Sequence, residues 1–426
     1  MRHFSWHILA SQMALAGFIT SMPIAAYALT FESAQNIALR DAPQLQVSQA
    51  QITVAQQSAI PAGELPDPKI KLGIDNLPLT GPDRFNPGPN GMAMQTFALM
   101  QEFPNSNKRN ARVQAANARI SVSEIERKIA RQNVARETAQ AWISQDSIER
   151  QLVLIDRLEA ENTLFASVIK AQLASGKGSI TDTILPKQEL ARLAEVRDEL
   201  TARRLQASAQ LKRWVGNVAN EGVTGKPPVF LIDISMDPIA LQDRFANRPE
   251  LVAFYPKSDV LNAEIAEARA AKMPDWGVEV KYQRNPQDFD SVMVEFSFDL
   301  PIFAGKRQDP MIAAKLAERT ALDAEREAST RERNAELINE LADLQRVKQA
   351  HQRYQATLLP LAEEKITLSL TAWKSAKGAL SDVIAARRER LETQLKAIAV
   401  SGELLQIQAR LHFTYANWDT PTGAAQ

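Results

Sequence analysis

The stretch Ser175-Gly-Lys-Gly-Ser-Ile-Thr-Asp182 returns as Ser375-Ala-Lys-Gly-Ala-Leu-Ser-Asp382, 200 residues further along, and this constrains the fold more than any other feature of the chain. The spacing holds without a gap through Ile184/Ile384, Glu189/Glu389, Leu205/Leu405, Gln206/Gln406, Ala209/Ala409 and Leu211/Leu411. A register kept over that distance marks an internal duplication, so the chain is built from two similar halves. Each copy reads as a turn between two helices. Gly178 or Gly378 can take the left-handed conformation that ends one helix. Thr181 with Asp182, or Ser381 with Asp382, offers side-chain oxygens to cap the next.

Lys and Arg together number 50, as do Asp and Glu, so the formal charge is zero and no global basic field recruits nucleic acid. The N-terminus begins Met1-Arg2-His3, continues through the largely apolar segment Phe4 to Ala26, and offers Ala26-Tyr27-Ala28 as a small-x-small cleavage site. That is the layout of a secretory signal peptide over residues 1–28, with an uncleaved anchor as the alternative. The absence of cysteine excludes disulfides, thiolate metal sites and a lipid-modified N-terminal cysteine. Beyond Leu29 no apolar run reaches the roughly 18 residues that a spanning helix requires. If this chain enters a bilayer, it does so as strands.

Helical spacing runs from Thr30 to about Ile60, interrupted at Asp41-Ala-Pro43, and again from Pro238 to Met273, where Arg248-Pro-Glu-Leu251 stands in for Ala42-Pro-Gln-Leu45. Both segments close on the same signal, Leu65-Pro66-Asp67 and Met273-Pro274-Asp275. The period then changes to two. Lys69 to Asp75, Gly277 to Gln283 and Ser291 to Leu300 alternate polar and apolar residues, and Met92 to Phe103 forms a weaker fourth strand. Two hairpins are expected, at about 69–103 and 276–300.

Strands of this length with one apolar face suit a transmembrane barrel, and equally a small soluble sheet packed on a helix. Four strands cannot close a barrel, and an open edge in lipid costs several kcal/mol per unpaired backbone group. Spanning a membrane therefore requires several chains to share one barrel. Three copies supply an even, edge-free set of 12 strands.

From Asn107 to Ser175 there is neither Pro nor Gly, which at 1.5 Å per residue makes a rod on the order of 100 Å. The matching stretch from about Met311 to Ser375 contains Pro360, expected to bend or break it. Return helices complete long hairpins at about 107–214 and 307–418. The halves are therefore 29–215 and 238–418, joined by a Gly- and Pro-containing linker at 216–237 and followed by a tail at 419–426.

Each half thus carries a short helix, a longer helix, Pro-Asp, a two-stranded hairpin, Pro followed by Lys-Arg, a very long helix, a Lys-Gly turn, Asp and a return helix. This duplicated order, with the Gly-x-x-(Thr/Ser)-Asp turn, resembles the TolC-like outer-membrane efflux factor family over essentially all of the chain after residue 28. Leu65-Pro-Asp-Pro-Lys-Ile-Lys-Leu-Gly-Ile-Asp-Asn-Leu-Pro78, Gln101-Glu-Phe-Pro104 and Lys108-Arg109 are most similar to its heavy-metal branch, of the cobalt-zinc-cadmium or copper type. The resemblance implies a mostly α chain with a small β portion. Its duplicated helical hairpins would form a trimeric α-barrel tunnel in the periplasm, continuous with a 12-stranded transmembrane β-barrel in outer-membrane lipid, four strands per chain. It also implies a homotrimer acting as a passive exit duct for metal cations driven by an inner-membrane efflux pump, its tip closed at rest and opening when a periplasmic adaptor protein and that pump dock.

In that family acidic residues at the hairpin turns constrict the tunnel entrance. The matching positions here are Asp182 and Asp382, with Thr181 and Ser381 beside them. A trimer would set these carboxylates in a cation-attracting ring. As helix caps alone they contribute roughly 1 kcal/mol each. The places where some relatives carry a further acidic and a basic residue hold Ala385 and Gly378 here, with Lys177 and Lys377 as possible substitutes. Metal coordination by this chain is not expected, because His351 and His412 lack neighbouring ligands at helical spacing. No catalytic constellation or cofactor motif stands out, and charges along the helices read as solvated faces with i, i+4 pairs. Two other readings remain: a periplasmic adaptor, which usually has one hairpin and lipoyl-like β segments, and a secreted coiled-coil scaffold without a channel.

Overall fold

The computed structural model describes residues 28–82, 84–86, 93–176, 179–230, 245, 247–285 and 289–415. Residues 1–27 of the expected leader, 231–237 of the expected linker and the expected tail at 419–426 lie outside them.

Helix α1 (Phe31–Asp41) starts where the Thr30 hydroxyl accepts from the Ser33 amide, and it ends at Ala42 because the following proline disfavours helix at that residue. Pro43 then opens α2 (Pro43–Ala59) from the first turn, where no helical hydrogen bond is lost. After the Pro66-Asp67 stop the chain forms β1 (Lys69–Asp75) and β2 (Met94–Phe103). The rod follows as α3 (Ser106–Ala174), 69 residues long. Its return is α4 (Leu185–Val215). The second half repeats the order: α5 (Phe254–Ala270), β3 (Trp276–Asn285), β4 (Phe289–Phe298), α6 (Gln308–Arg353), α7 (Leu359–Lys374) and α8 (Leu380–Tyr415).

Pro360 leaves the second rod continuous but widens one turn: residues Tyr354–Leu358 are π-helical, directly ahead of the proline in the first turn of α7. Proline cannot donate to the carbonyl four residues back, and the wide turn accommodates that missing bond without ending the rod.

The strands form one antiparallel sheet in the order β1-β2-β3-β4. The two hairpins are superimposable in register: Lys69 faces Met100, and their repeat counterparts Gly277 and Ser297 also face each other. Side chains alternate between faces, so Ile70, Leu72, Phe97, Leu99, Val280, Val294 and Phe296 share one face of the sheet. All seven are exposed. Lys71, Thr96, Glu279, Lys281, Gln283 and Glu295 occupy the other.

The helices are held by separate apolar clusters spaced along the rods. Where α1, α3, α4 and α8 meet, Trp142 is fully buried; its indole N–H donates to the Leu29 carbonyl at 2.9 Å and its ring meets Phe31 edge-on at 5.6 Å. Further along, Leu152, Ile155 and Leu158 of α3 meet Leu193 and Leu200 of α4 and Leu391 of α8. Each such side chain contributes roughly 1.5–3 kcal/mol by leaving water. Among the described residues no helix is long and apolar enough to cross a membrane.

Candidate functional site

The two helical turns lie at the same end of the rods and pack on each other. Phe165 and Ile169 near the end of α3 meet Leu380, Val383 and Ile384 at the start of α8, with Leu185 and Trp373 alongside. The Phe165 and Trp373 rings are 5.7 Å apart.

Thr181, Ser381 and Asp382 are exposed and Asp182 is partly exposed, so both aspartates reach the surface of this tip. Asp182 completes a capping box: its Oδ2 accepts from the Ser179 amide at 3.1 Å, and the Ser179 hydroxyl accepts from the Thr181 amide at 3.3 Å. The cap is therefore Ser179, with Asp182 closing the box rather than capping alone. In the second turn Ala379 stands in the place of Ser179, and the Asp382 carboxylate has no side-chain partner among the described residues.

Among the described residues the left-handed positions at the two turns fall two residues ahead of the motif glycines. Gly176 has φ +71° and Ala376 has φ +58°, whereas Gly378 lies outside the left-handed region. The reason is where the helices stop. The second rod ends at Lys374, the Ala376 amide donates to the Trp373 carbonyl at 3.0 Å, and the Lys377 amide reaches the Ala372 carbonyl at 2.8 Å. That pattern places the left-handed residue two positions after the last helical one. Gly378 serves close packing instead, since a Cβ there would sit 3.0 Å from the Ala372 Cβ. Lys377 is exposed, while Lys177 and Gly178 lie outside the described residues.

The residues that join the two hairpins are arginines that reading the helix charges as solvated faces passes over. Arg390 of α8 bonds Glu161 of α3 at 2.5 Å and Glu363 of α7 at 3.3 Å. Arg388 bonds Glu189 of α4 at 3.1 Å, and the Glu189 side chain is only 6% exposed. The Arg387 guanidinium lies 4.6 Å over the Phe165 ring, and burial lowers its pKa against the raising effect of Glu161. Within the first hairpin, hydrogen bonds to Glu159 and Asp156 raise the pKa of Arg197. The signal available was Arg387-Arg388-Glu389-Arg390, a basic run where the first half has Lys187-Gln188-Glu189-Leu190.

At the other end of the rods, the polar face of the sheet is cross-linked by charge. Lys69 bonds Glu102 at 2.6 Å, Lys71 reaches across β2 to Glu279 at 2.5 Å, and Asp75 accepts from Thr96 and Gln283 at 2.7 and 3.0 Å. The sheet joins the rods through Asp275. Its Oδ1 accepts from the Asn105 amide at 2.8 Å, its Oδ2 pairs with Lys108 at 2.8 Å, and the Asn105 side chain caps α3. Among the described residues no group of three His, Cys, Asp or Glu could hold a metal ion.

Residues 240–415 match the family model described as outer membrane efflux protein. No curated protein matches the chain by sequence. In three dimensions it is similar to a membrane protein from Pseudomonas aeruginosa, with a TM-score of 0.77 at 17% identity over 91% of each chain. It is also similar to the CmeC outer membrane channel of Campylobacter jejuni, with a TM-score of 0.76 at 13% identity over 90% of this chain and 85% of that one. The open state of the Neisseria gonorrhoeae MtrE outer membrane channel gives a TM-score of 0.74 at 15% identity over 90% of this chain and 88% of that one. The second half of the chain thus carries the sequence pattern of outer membrane efflux proteins, and the chain has the fold of solved outer-membrane channels.

Proposed function

We propose that the chain is the outer-membrane channel of a tripartite efflux system, a passive homotrimeric duct that crosses the periplasm and opens to an adaptor protein and an inner-membrane pump. The observation that carries this reading is the sheet: an apolar face exposed along all four strands, a polar face laced with ion pairs, and two unpaired edges. An apolar sheet face of this kind is stable against lipid tails, and its edges are satisfied only when copies close a barrel. Three copies of four strands make 12. The rods then form the periplasmic tunnel, with the tip carrying Asp182 and Asp382 at its far end. The resemblance of the β1 region to the heavy-metal branch favours metal cations as the exported class, with selection residing in the pump.

The test is to extract the protein from outer membranes and look for heat-resistant trimers and ion conductance in planar bilayers. A purified chain that is monomeric and water-soluble without detergent ends the reading. Replacing both Asp182 and Asp382 by Ala is expected to lower cation preference or raise resting conductance. Unchanged single-channel behaviour leaves these two residues as structural caps only.

A further inference from the structure

Leu29 precedes the first helix, yet both of its backbone groups and its side chain are fixed. Its amide donates to the Gly222 carbonyl at 2.9 Å, and its own carbonyl accepts from the Thr224 amide at 3.1 Å and from the Trp142 indole at 2.9 Å. The two amide bonds make a parallel bridge to Val223, so this one residue ties the segment ahead of α1 to the segment that follows α4. The side chain is 3% exposed, in the apolar cluster that also holds Trp142, Val215 and Ala219. Gly222 has φ +80°, and the Glu149 Oε1 stands 3.9 Å from where a Cβ on that glycine would be. A carboxylate of α3 therefore lies beside the residue whose carbonyl receives the Leu29 nitrogen.

The small-x-small signal Ala26-Tyr27-Ala28 ends at the residue immediately before Leu29. We propose that the leader is cut between Ala28 and Leu29 and that the α-ammonium so formed is a structural group, docked on the Gly222 carbonyl beside Glu149 and locking the new N-terminus to the segment between the halves. The inference rests on the secretory reading of residues 1–28 and is independent of the channel reading. In the cut, water adds across the Ala28–Leu29 peptide bond; Ala28 leaves as a carboxylate, and the Leu29 nitrogen takes up the protons and becomes an ammonium. That nitrogen keeps its acceptor and gains a charge, so a neutral hydrogen bond becomes a charge-assisted one, roughly twice as strong. A neighbouring carboxylate favours the charged form. The same geometry orders the events. A protease needs an accessible, unpaired stretch of backbone, and Leu29 has neither property once it is docked. Gly222 comes far later in the chain, so the cut precedes docking, and a precursor that folds first keeps its leader.

Mass spectrometry of the protein purified from membranes is expected to give a chain beginning at Leu29. Any other first residue overturns the proposal and leaves trimer and conductance measurements untouched. The second arm is an amine-reactive reagent applied to the folded protein near neutral pH. A free α-amine has the lower pKa and reacts ahead of lysine. Docking reverses that order: the exposed Lys377 is modified, and the Leu29 amine reacts about tenfold or more slowly until denaturant is added. A Leu29 amine that reacts as fast as Lys377 in the folded protein overturns the docked ammonium. Glu149→Gln is expected to raise the Leu29 rate severalfold and leave the Lys377 rate alone, because less of the amine is then held as ammonium. An unchanged Leu29 rate overturns the part given to Glu149.

Discussion

At the first helical turn Ile180 and Ile184 are 75% and 51% exposed, whereas at the second their repeat counterparts Leu380 and Ile384 are 5% and 3% exposed. The local chemistry is distributed the other way. The first turn has glycine at its left-handed position and a complete capping box on Ser179 and Asp182. The second places Ala376 in the left-handed region and has Ala379 where the cap would be. One turn is held by its own hydrogen bonds, the other by burial against Phe165 and Ile169 of the neighbouring hairpin. A duplicated sequence therefore yields two unequal ends, because a single chain contains only one of the two possible seams between its halves. In the proposed homotrimer, Ile180 and Ile184 lie on the surface corresponding to the one that Leu380 and Ile384 bury.

The strongest way to break this comparison is to truncate the apolar anchor. Leu380→Ala should cost about 2–5 kcal/mol of tip stability, while Ile180→Ala in the isolated chain should stay within about 0.5 kcal/mol. Amide hydrogen exchange across residues 180–200 and 380–400 reads both, and equal losses would show that the turns are equivalent after all. Removing the local cap tests the other side. Ser179→Ala should destabilise the 3-10 turn Ile180–Thr183 that leads into α4 by about 1 kcal/mol, and Ala379→Ser should stabilise α8 by up to a similar amount. No change on Ser179→Ala would mean that packing holds both turns. The smallest expected effect is at the left-handed positions. Ala376→Gly should stabilise the second turn by about 0.5–1 kcal/mol, and Gly176→Ala should cost the first a comparable amount, seen in the fraying of the helix ends. An opposite sign at Ala376 would place the strain elsewhere.

Much of the fold is legible along the chain because it follows from local periods. The uninterrupted run from Asn107 to Ser175 becomes α3, the alternation after each Pro-Asp becomes a strand pair, and Pro360 produces the widened turn beside it. What escapes is whatever depends on where a helix actually stops or on what faces it. The left-handed residue falls at Gly176 and Ala376 because the last helical turn, not the glycine, sets that position. Arg387, Arg388 and Arg390 look like surface charges until α3, α4 and α7 bring Glu161, Glu189 and Glu363 beside them. Asp275 reads as part of a helix stop, and only the fold makes it the joint between sheet and rod.

By itself the sequence determined that two like halves exist, that each joins a rod-length hairpin to a two-sided strand pair, and that no lone copy can seal those strands. These follow from spacing, since a period of 2 or 3.6 is a property of neighbouring residues. The tertiary structure alone decided the register between β2 and β3, the arginine ties between hairpins and which turn is buried. Those depend on pairs of residues more than a hundred positions apart, whose meeting is set by how whole elements pack.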